Sequence, residues 1–214
     1  MSAQVAIVDY GMGNLRSVEK ALQRVGAEAV VTSAHDRITA ADGVVLPGVW
    51  AFPRAMEQIR ELGLDRLVRE RVVARAPVLG ICLGMQLLFE RSSELGGAEG
   101  LSLVGGDVAA IESRGLKLPQ IGWNAVAWRR ASRLTAGLPD PCPFYHVHSF
   151  APRPARGADV LGAADYGSEF VTAVERDPVY GVQFHPEKSG EHGLRLLANF
   201  TAVCAAEART RRAA

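Results

Sequence analysis

Two periods of apolar positions alternate along the first half of the chain. Val5-Ala6-Ile7-Val8 is a short apolar run that ends at Asp9-Tyr10-Gly11-Met12-Gly13-Asn14. Leu15, Val18, Leu22 and Val25 then recur at helical spacing on one face, which predicts a helix with Asn14 at its N-cap and Gly26 just past its end. Ala29–Thr32 and Val44–Leu46 read as further strands, the second stopped by Pro47-Gly48. Helical patterns cover Phe52–Glu61 and Leu64–Ala74, with Pro53 in a first turn, where proline is tolerated. Val78–Ile81 is wholly apolar and passes through Cys82-Leu83-Gly84 into a helix expected to run through Glu90. Strands apolar on both faces and separated by helices predict a parallel sheet covered on both sides.

The second half is richer in strand patterns: Val104–Ile111, Ala125–Trp128, Phe144–Phe150, Val160–Ala164, Val171–Val174 and Val179–Phe184. A last helix begins near Gly190, with Leu196, Phe200 and Val203 on one face. The expected fold is α/β: a doubly wound, mostly parallel central sheet with flanking helices and an added antiparallel strand region. One domain is expected over 1–214, with a polar tail, 207–214, that frays.

Composition narrows the function classes. The chain has 214 residues, 48% hydrophobic and 22% charged, which is ordinary globular usage. Lys plus Arg is 24 and Asp plus Glu is 23, so the net charge is 24 − 23 = +1. That balance gives no support to nucleic-acid or membrane-surface binding, which favour a basic excess. The three cysteines, Cys82, Cys142 and Cys204, are too few and too scattered for a disulfide framework or a metal cage. Met1–Asp9 lacks a basic n-region, and Pro77–Phe89 is well short of the ~20 apolar residues of a membrane span. A soluble, cytoplasmic protein is the expectation.

The strongest chemical signal is Gly80-Ile81-Cys82-Leu83-Gly84 at a strand-to-helix junction. This is the cysteine form of the G-x-S-x-G nucleophile elbow, whose tight turn needs small flanking residues. The helix N-terminus behind Cys82 favours a thiolate, and the Leu83 N–H is positioned to stabilise an oxyanion. A lone cysteine at a strand end is ordinarily a buried structural residue, and Cys142 and Cys204 read that way, Cys142 in a proline loop. The two glycines argue for more at Cys82.

A thiol needs a base, and there are five histidines. His185 follows the strand Val179–Phe184 in His185-Pro186-Glu187-Lys188-Ser189-Gly190. Two positions along an extended segment bring Glu187 to the imidazole's side, where a carboxylate orients the ring. The same residues fit a His-Pro turn with a solvated Glu equally well. His146 and His148 share a strand face and compete as bases. His35 and His192 sit among polar residues and read as surface groups.

Cys82 in its elbow together with His185-Pro186-Glu187 resembles the class I (triad) glutamine amidotransferases, a flavodoxin-like fold. Within them, the chain is similar to the glutaminase subunits of imidazole glycerol phosphate synthase. The likeness is carried by Asp9–Ser17, Leu46–Val49, Gly80–Leu88, Gly122-Trp123-Asn124, Val147-His148-Ser149 and Gln183–Gly190. It implies a Cys82–His185–Glu187 triad that hydrolyses L-glutamine to glutamate and ammonia through a thioester, with no cofactor and no metal. Leu83 with Gly48 or Val49 would supply the oxyanion donors, and Gln86, Glu94, His148 and Ser149 would line the glutamine pocket. The partner implied is a (β/α)8-barrel cyclase subunit that consumes the ammonia in histidine biosynthesis, met through Asn14, Trp123, Tyr145 and Lys188. Without the likeness, Trp123 and Tyr145 would read as core.

There are departures from the family pattern. Trp50 stands where a glycine is usual, Pro53 where glycine or a small polar residue is usual, and Gln120 where histidine is. His146 replaces an aromatic residue and Phe150 a tyrosine. Tryptophan restricts the backbone where glycine would ease a peptide flip. Other readings are the glutaminase of another amidotransferase, a γ-glutamyl or peptide hydrolase active alone, and a non-enzymatic flavodoxin-like module with a phosphate at Gly11–Asn14.

Overall fold

The alternating apolar runs become strands whose two faces enter two different cores. In the structure, a computed structural model describing residues 2–11 and 13–213, β1 spans Gln4–Val8. Val5 and Ile7 pack with Val18 and Leu22 of α1 (Leu15–Arg24) and with Leu196, Phe200 and Val203 of the C-terminal helix. Ala6 and Val8 face the opposite way, into a core with Ile38, Met56, Ile59 and Val68. Period-two side-chain alternation thus serves both faces of a covered sheet.

The remaining elements of the parallel half are β2 (Glu28–Thr32), α2 (His35–Ala40), β3 (Gly43–Gly48), α3 (Phe52–Glu61), α4 (Leu64–Val73), β4 (Val78–Cys82) and α5 (Leu83–Leu87). Two short strands follow, β5 (Arg91–Ser92) and β6 (Ala98–Glu99), then β7 (Gly106–Ala110), β8 (Gln120–Trp128), β9 (Cys142–His148) and β10 (Phe150–Pro154). The chain closes with β11 (Val160–Asp165), β12 (Glu169–Arg176), β13 (Val179–Val182) and α6 (Gly190–Ala213).

The main sheet has nine strands in the order β2-β1-β3-β4-β13-β12-β11-β8-β9. Pairings from β2 to β13 are parallel and those from β13 to β9 antiparallel. A second sheet, β10-β7-β5-β6, is hydrogen-bonded separately and packs against it, Ala151 of β10 meeting Ala164 of β11 and Phe170 of β12. β4 and β13 are neighbours, which sets the ends bearing Cys82 and His185 side by side at the carboxyl edge of the parallel strands, where ligands bind in open α/β sheets.

The structure departs from the sequence expectation in several places. Helix α2 escapes a periodicity reading because Ile38 is its only buried apolar residue. Helix α5 ends at Leu87, not Glu90, because Leu88 and Phe89 bend back on i→i+3 hydrogen bonds to Met85 and Gln86. Cys142 is buried in β9, not in a loop. Residues 207–213, expected to fray, continue α6; Arg211 donates to the carbonyls of Arg75 and Asp42, and Arg212 pairs with the Asp42 carboxylate at 3.0 Å. No helix among the described residues is long and apolar enough to cross a membrane.

Candidate active site

The elbow forms because two glycines let a helix start against the sheet. Cys82 adopts φ 55°, ψ −113°, a backbone region that side chains rarely occupy. A Cβ on Gly80 would lie 2.5 Å from the Gly84 carbonyl, and one on Gly84 would overlap the Leu46 carbonyl. With glycine at both positions, α5 packs directly onto β3 and β4 and holds the strained residue between them.

The sulfur of Cys82 is buried, lying 3.8 Å from the Val147 carbonyl and 3.7 Å from Gln183 Nε2. Cys82 and His185 line one cavity of about 460 Å³ at the carboxyl edge of the sheet. His185 Nδ1 meets Glu187 Oε1 at 2.9 Å, with both side chains almost wholly buried. Burial alone would depress the imidazole, but interaction with Cys82 and Glu187 outweighs it and lifts the pKa from 6.5 to about 10. The His-Pro turn with a solvated Glu is thereby set aside: Pro186 starts a single 3-10 turn, and that turn folds Glu187 back onto the ring.

The competing histidines have other engagements. His146 is fully buried between the Phe144 carbonyl (3.1 Å) and Thr172 Oγ1 (2.8 Å). His148 donates from Nδ1 to the Phe150 carbonyl at 2.9 Å. Burial, with the charge of neighbouring histidines, lowers them to about 3 and about 4, so both are neutral near pH 7. His148 keeps Nε2 as a buried acceptor on the cavity wall.

The cavity also gathers Val49, Leu83, Gln86, Glu94, Ser149 and Lys188. Gln86, buried, donates to the Phe150 carbonyl and to Gln183 Oε1, each at 3.0 Å. Gly48 pairs in register with Cys82 across β3 and β4, so the backbone of Gly48 and Val49 borders the nucleophile. Glu94 takes the Phe52 N–H on Oε2 at 2.8 Å. Trp50, which also lines the cavity, is 66% exposed and is not among the residues of positive φ. Its ring therefore stands outward while its backbone keeps an ordinary conformation.

Asn14 lines the same cavity from the first loop. It stands at the N-cap position of α1 but bonds Ser17 Oγ, not the backbone. Trp123 is 59% exposed and meets Tyr145 edge-on at 6.2 Å, so the aromatic pair belongs to the surface and not to the core. Two residues next to the nucleophile fall in segments that carry the family likeness but are not among the expected site residues. Gln183 is one, and its signal was its position two residues before His185. Tyr10 is the other; its signal lay in the first glycine loop. Among the described residues no cluster of three His, Cys, Asp or Glu side chains could hold a metal ion.

A thiol at a strained turn, a buried imidazole–carboxylate pair beside it and backbone N–H groups around it can carry acyl transfer through a thioester. A family model described as glutamine amidotransferase class-I matches residues 6–204. Imidazole glycerol phosphate synthase subunit HisH of Moorella thermoacetica is 47% identical over 92% of this chain and 93% of its own length. The subunit of the same name from Symbiobacterium thermophilum is 48% identical over 92% and 93%. A solved structure from Thermoplasma acidophilum, of a candidate GMP synthase component, shares the fold, with TM-score 0.78 at 18% identity over 99% of this chain and 98% of that one. The chain belongs to the class-I glutamine amidotransferase family.

Proposed function

We propose that this chain is the glutaminase subunit of an imidazole glycerol phosphate synthase, with Cys82 as nucleophile, His185 as acid and base, and Glu187 as its orienter. The observation that carries the reading is Cys82 held at φ 55° beside an imidazole–carboxylate pair, in a chain nearly half identical to subunits of that name.

The thiolate attacks the side-chain carbonyl carbon of glutamine, and the carbonyl π electrons move to oxygen. The Leu83 N–H and an N–H from Gly48 or Val49 receive that charge. Protonated His185 gives its proton to the amide nitrogen, the C–N bond breaks, and ammonia leaves a glutamyl thioester on Cys82. Neutral His185 then takes a proton from water as it attacks the thioester; the C–S bond breaks, glutamate departs, and the thiolate and protonated His185 are restored. Glu187 holds the ring by Nδ1 in both steps. Gln86, Glu94, His148 and Ser149 line the space the glutamine would fill, with Glu94 and the His148 Nε2 lone pair suited to its ammonium end. Each step is proton and acyl transfer, so it calls on no cofactor.

Ammonia would pass to a cyclase subunit docked over the cavity mouth. Ile121 and Trp123, on one face of β8, are 62% and 59% exposed, and Lys188 and Asn14 are exposed on the cavity wall. Large apolar side chains left in solvent beside charged ones suit a protein interface. The direct test is ammonia release from glutamine with and without the cyclase subunit. Release that depends on the partner and vanishes in Cys82→Ala, with partner binding kept, is expected. Equal release without the partner, as for a γ-glutamyl hydrolase, would contradict the reading.

A further inference from the structure

Tyr10 takes no part in the proposed triad or glutamine pocket, yet it is 1% exposed and lies under the oxyanion turn. Its hydroxyl donates to the carbonyl of Pro47. Pro47 has no N–H to give to the sheet, and its carbonyl is held here by a side chain. The Pro47 carbonyl and the Gly48 N–H belong to one planar peptide and point in opposite directions. Anchoring the carbonyl therefore fixes where the Gly48 N–H points.

The contact is close on all sides. A Cβ on Gly48 would overlap the Tyr10 hydroxyl and come within 2.9 Å of Leu83 Cβ. Tyr10, Gly48 and the first residue of the elbow helix thus meet at one point, next to Cys82. Burial first, and the nearby Cys82 charge second, push the phenol well above its ordinary pKa, so it stays a donor at every working pH. At the far end of the turn Glu94 accepts the Phe52 N–H, so residues 48–51 run between two side-chain anchors.

From this geometry we infer that Tyr10 is a positioning residue for the hydrolysis of glutamine, its hydroxyl holding the Pro47–Gly48 peptide so that the oxyanion donors of the turn face Cys82. The inference rests on the glutaminase reading above. A single oxyanion donor is worth about 10²–10³ in kcat, and loosening its support forfeits part of that.

The test is Tyr10→Phe in the complex with the cyclase subunit, which removes one oxygen and keeps the ring. Glutamine kcat and KM are measured together with the rate at which iodoacetamide alkylates Cys82, a reaction that needs the folded elbow and the thiolate but no oxyanion hole. Expected is a fall in kcat of about tenfold, with KM and the alkylation rate within about twofold of wild type. An unchanged or raised kcat, a change confined to KM, or a parallel fall in kcat and alkylation would each overturn the inference. Wild-type complex that releases no ammonia from glutamine would instead overturn the functional reading beneath it.

Discussion

At the scale of single residues, the site works by setting one group's protonation against another's. His185 and His148 are both buried, yet their pKa values move in opposite directions. The difference is the company each keeps: a carboxylate and a thiol for His185, a backbone carbonyl and other imidazoles for His148. Removing the carboxylate removes the difference. Glu187→Gln should lower the His185 pKa and cut kcat by about 10²-fold or more, with Cys82 still in place. A pH–rate profile of the variant in the complex checks both; a profile and kcat equal to wild type would show that Glu187 does not orient the ring. This pair was half legible in the sequence. The two-residue spacing allowed it, but only the folded turn at Pro186 distinguishes it from a solvated glutamate. Tyr10 was only faintly legible as a site residue, through the glycine loop it opens, because its contact with Pro47 joins the loop after β1 to the end of β3, which only the folded sheet brings together.

At the scale of elements, the elbow depends on how closely α5 can approach β3. Gly84 is the point of contact, since any Cβ there overlaps the Leu46 carbonyl. Gly84→Ala should therefore push α5 off the sheet and cost about 2 kcal/mol or more, with loss of Cys82 reactivity. Urea unfolding and iodoacetamide alkylation read the two effects; a variant of wild-type stability would mean the elbow tolerates displacement. Elements with strong periodicity, such as α1, α3 and β4, could be read directly, since each buries a regular stripe or an unbroken apolar run. The short pieces could not. Helix α2 and the two-residue strands β5 and β6 are held by what they pack on, and their own residues carry too little pattern to announce them.

At the scale of the whole molecule, the antiparallel half of the sheet brings three imidazoles into one region, and this makes stability depend on pH from both sides. His146 and His148 have depressed pKa values in the fold, so their contribution is present above 6.5 and is lost as pH falls toward about 4 and about 3, where the unfolded chain alone binds the protons. His185 has a raised pKa, so its contribution is present below 6.5 and is lost as pH rises toward about 10. Stability should thus decline on either side of a maximum near neutral pH. His146→Phe should make the acid limb shallower while lowering stability at pH 7 by about 1–3 kcal/mol, since Thr172 Oγ1 loses its buried partner. Urea midpoints from pH 4 to 9 for both proteins decide this; an acid limb of unchanged slope would remove His146 from the account. The parallel half of the architecture followed from apolar runs, whereas the neighbouring of β4 and β13, which unites Cys82 with His185, is a long-range pairing that no local pattern records.

The central claim is that Cys82 carries the acyl group of glutamine. The most direct measurement is mass spectrometry of the complex quenched in acid during turnover of glutamine and then digested. The account predicts a glutamyl adduct on the peptide bearing Cys82, absent in Cys82→Ala and accumulating in proportion to enzyme. Vigorous ammonia release with no adduct on that peptide, or with the adduct on Cys142 or Cys204, would contradict it.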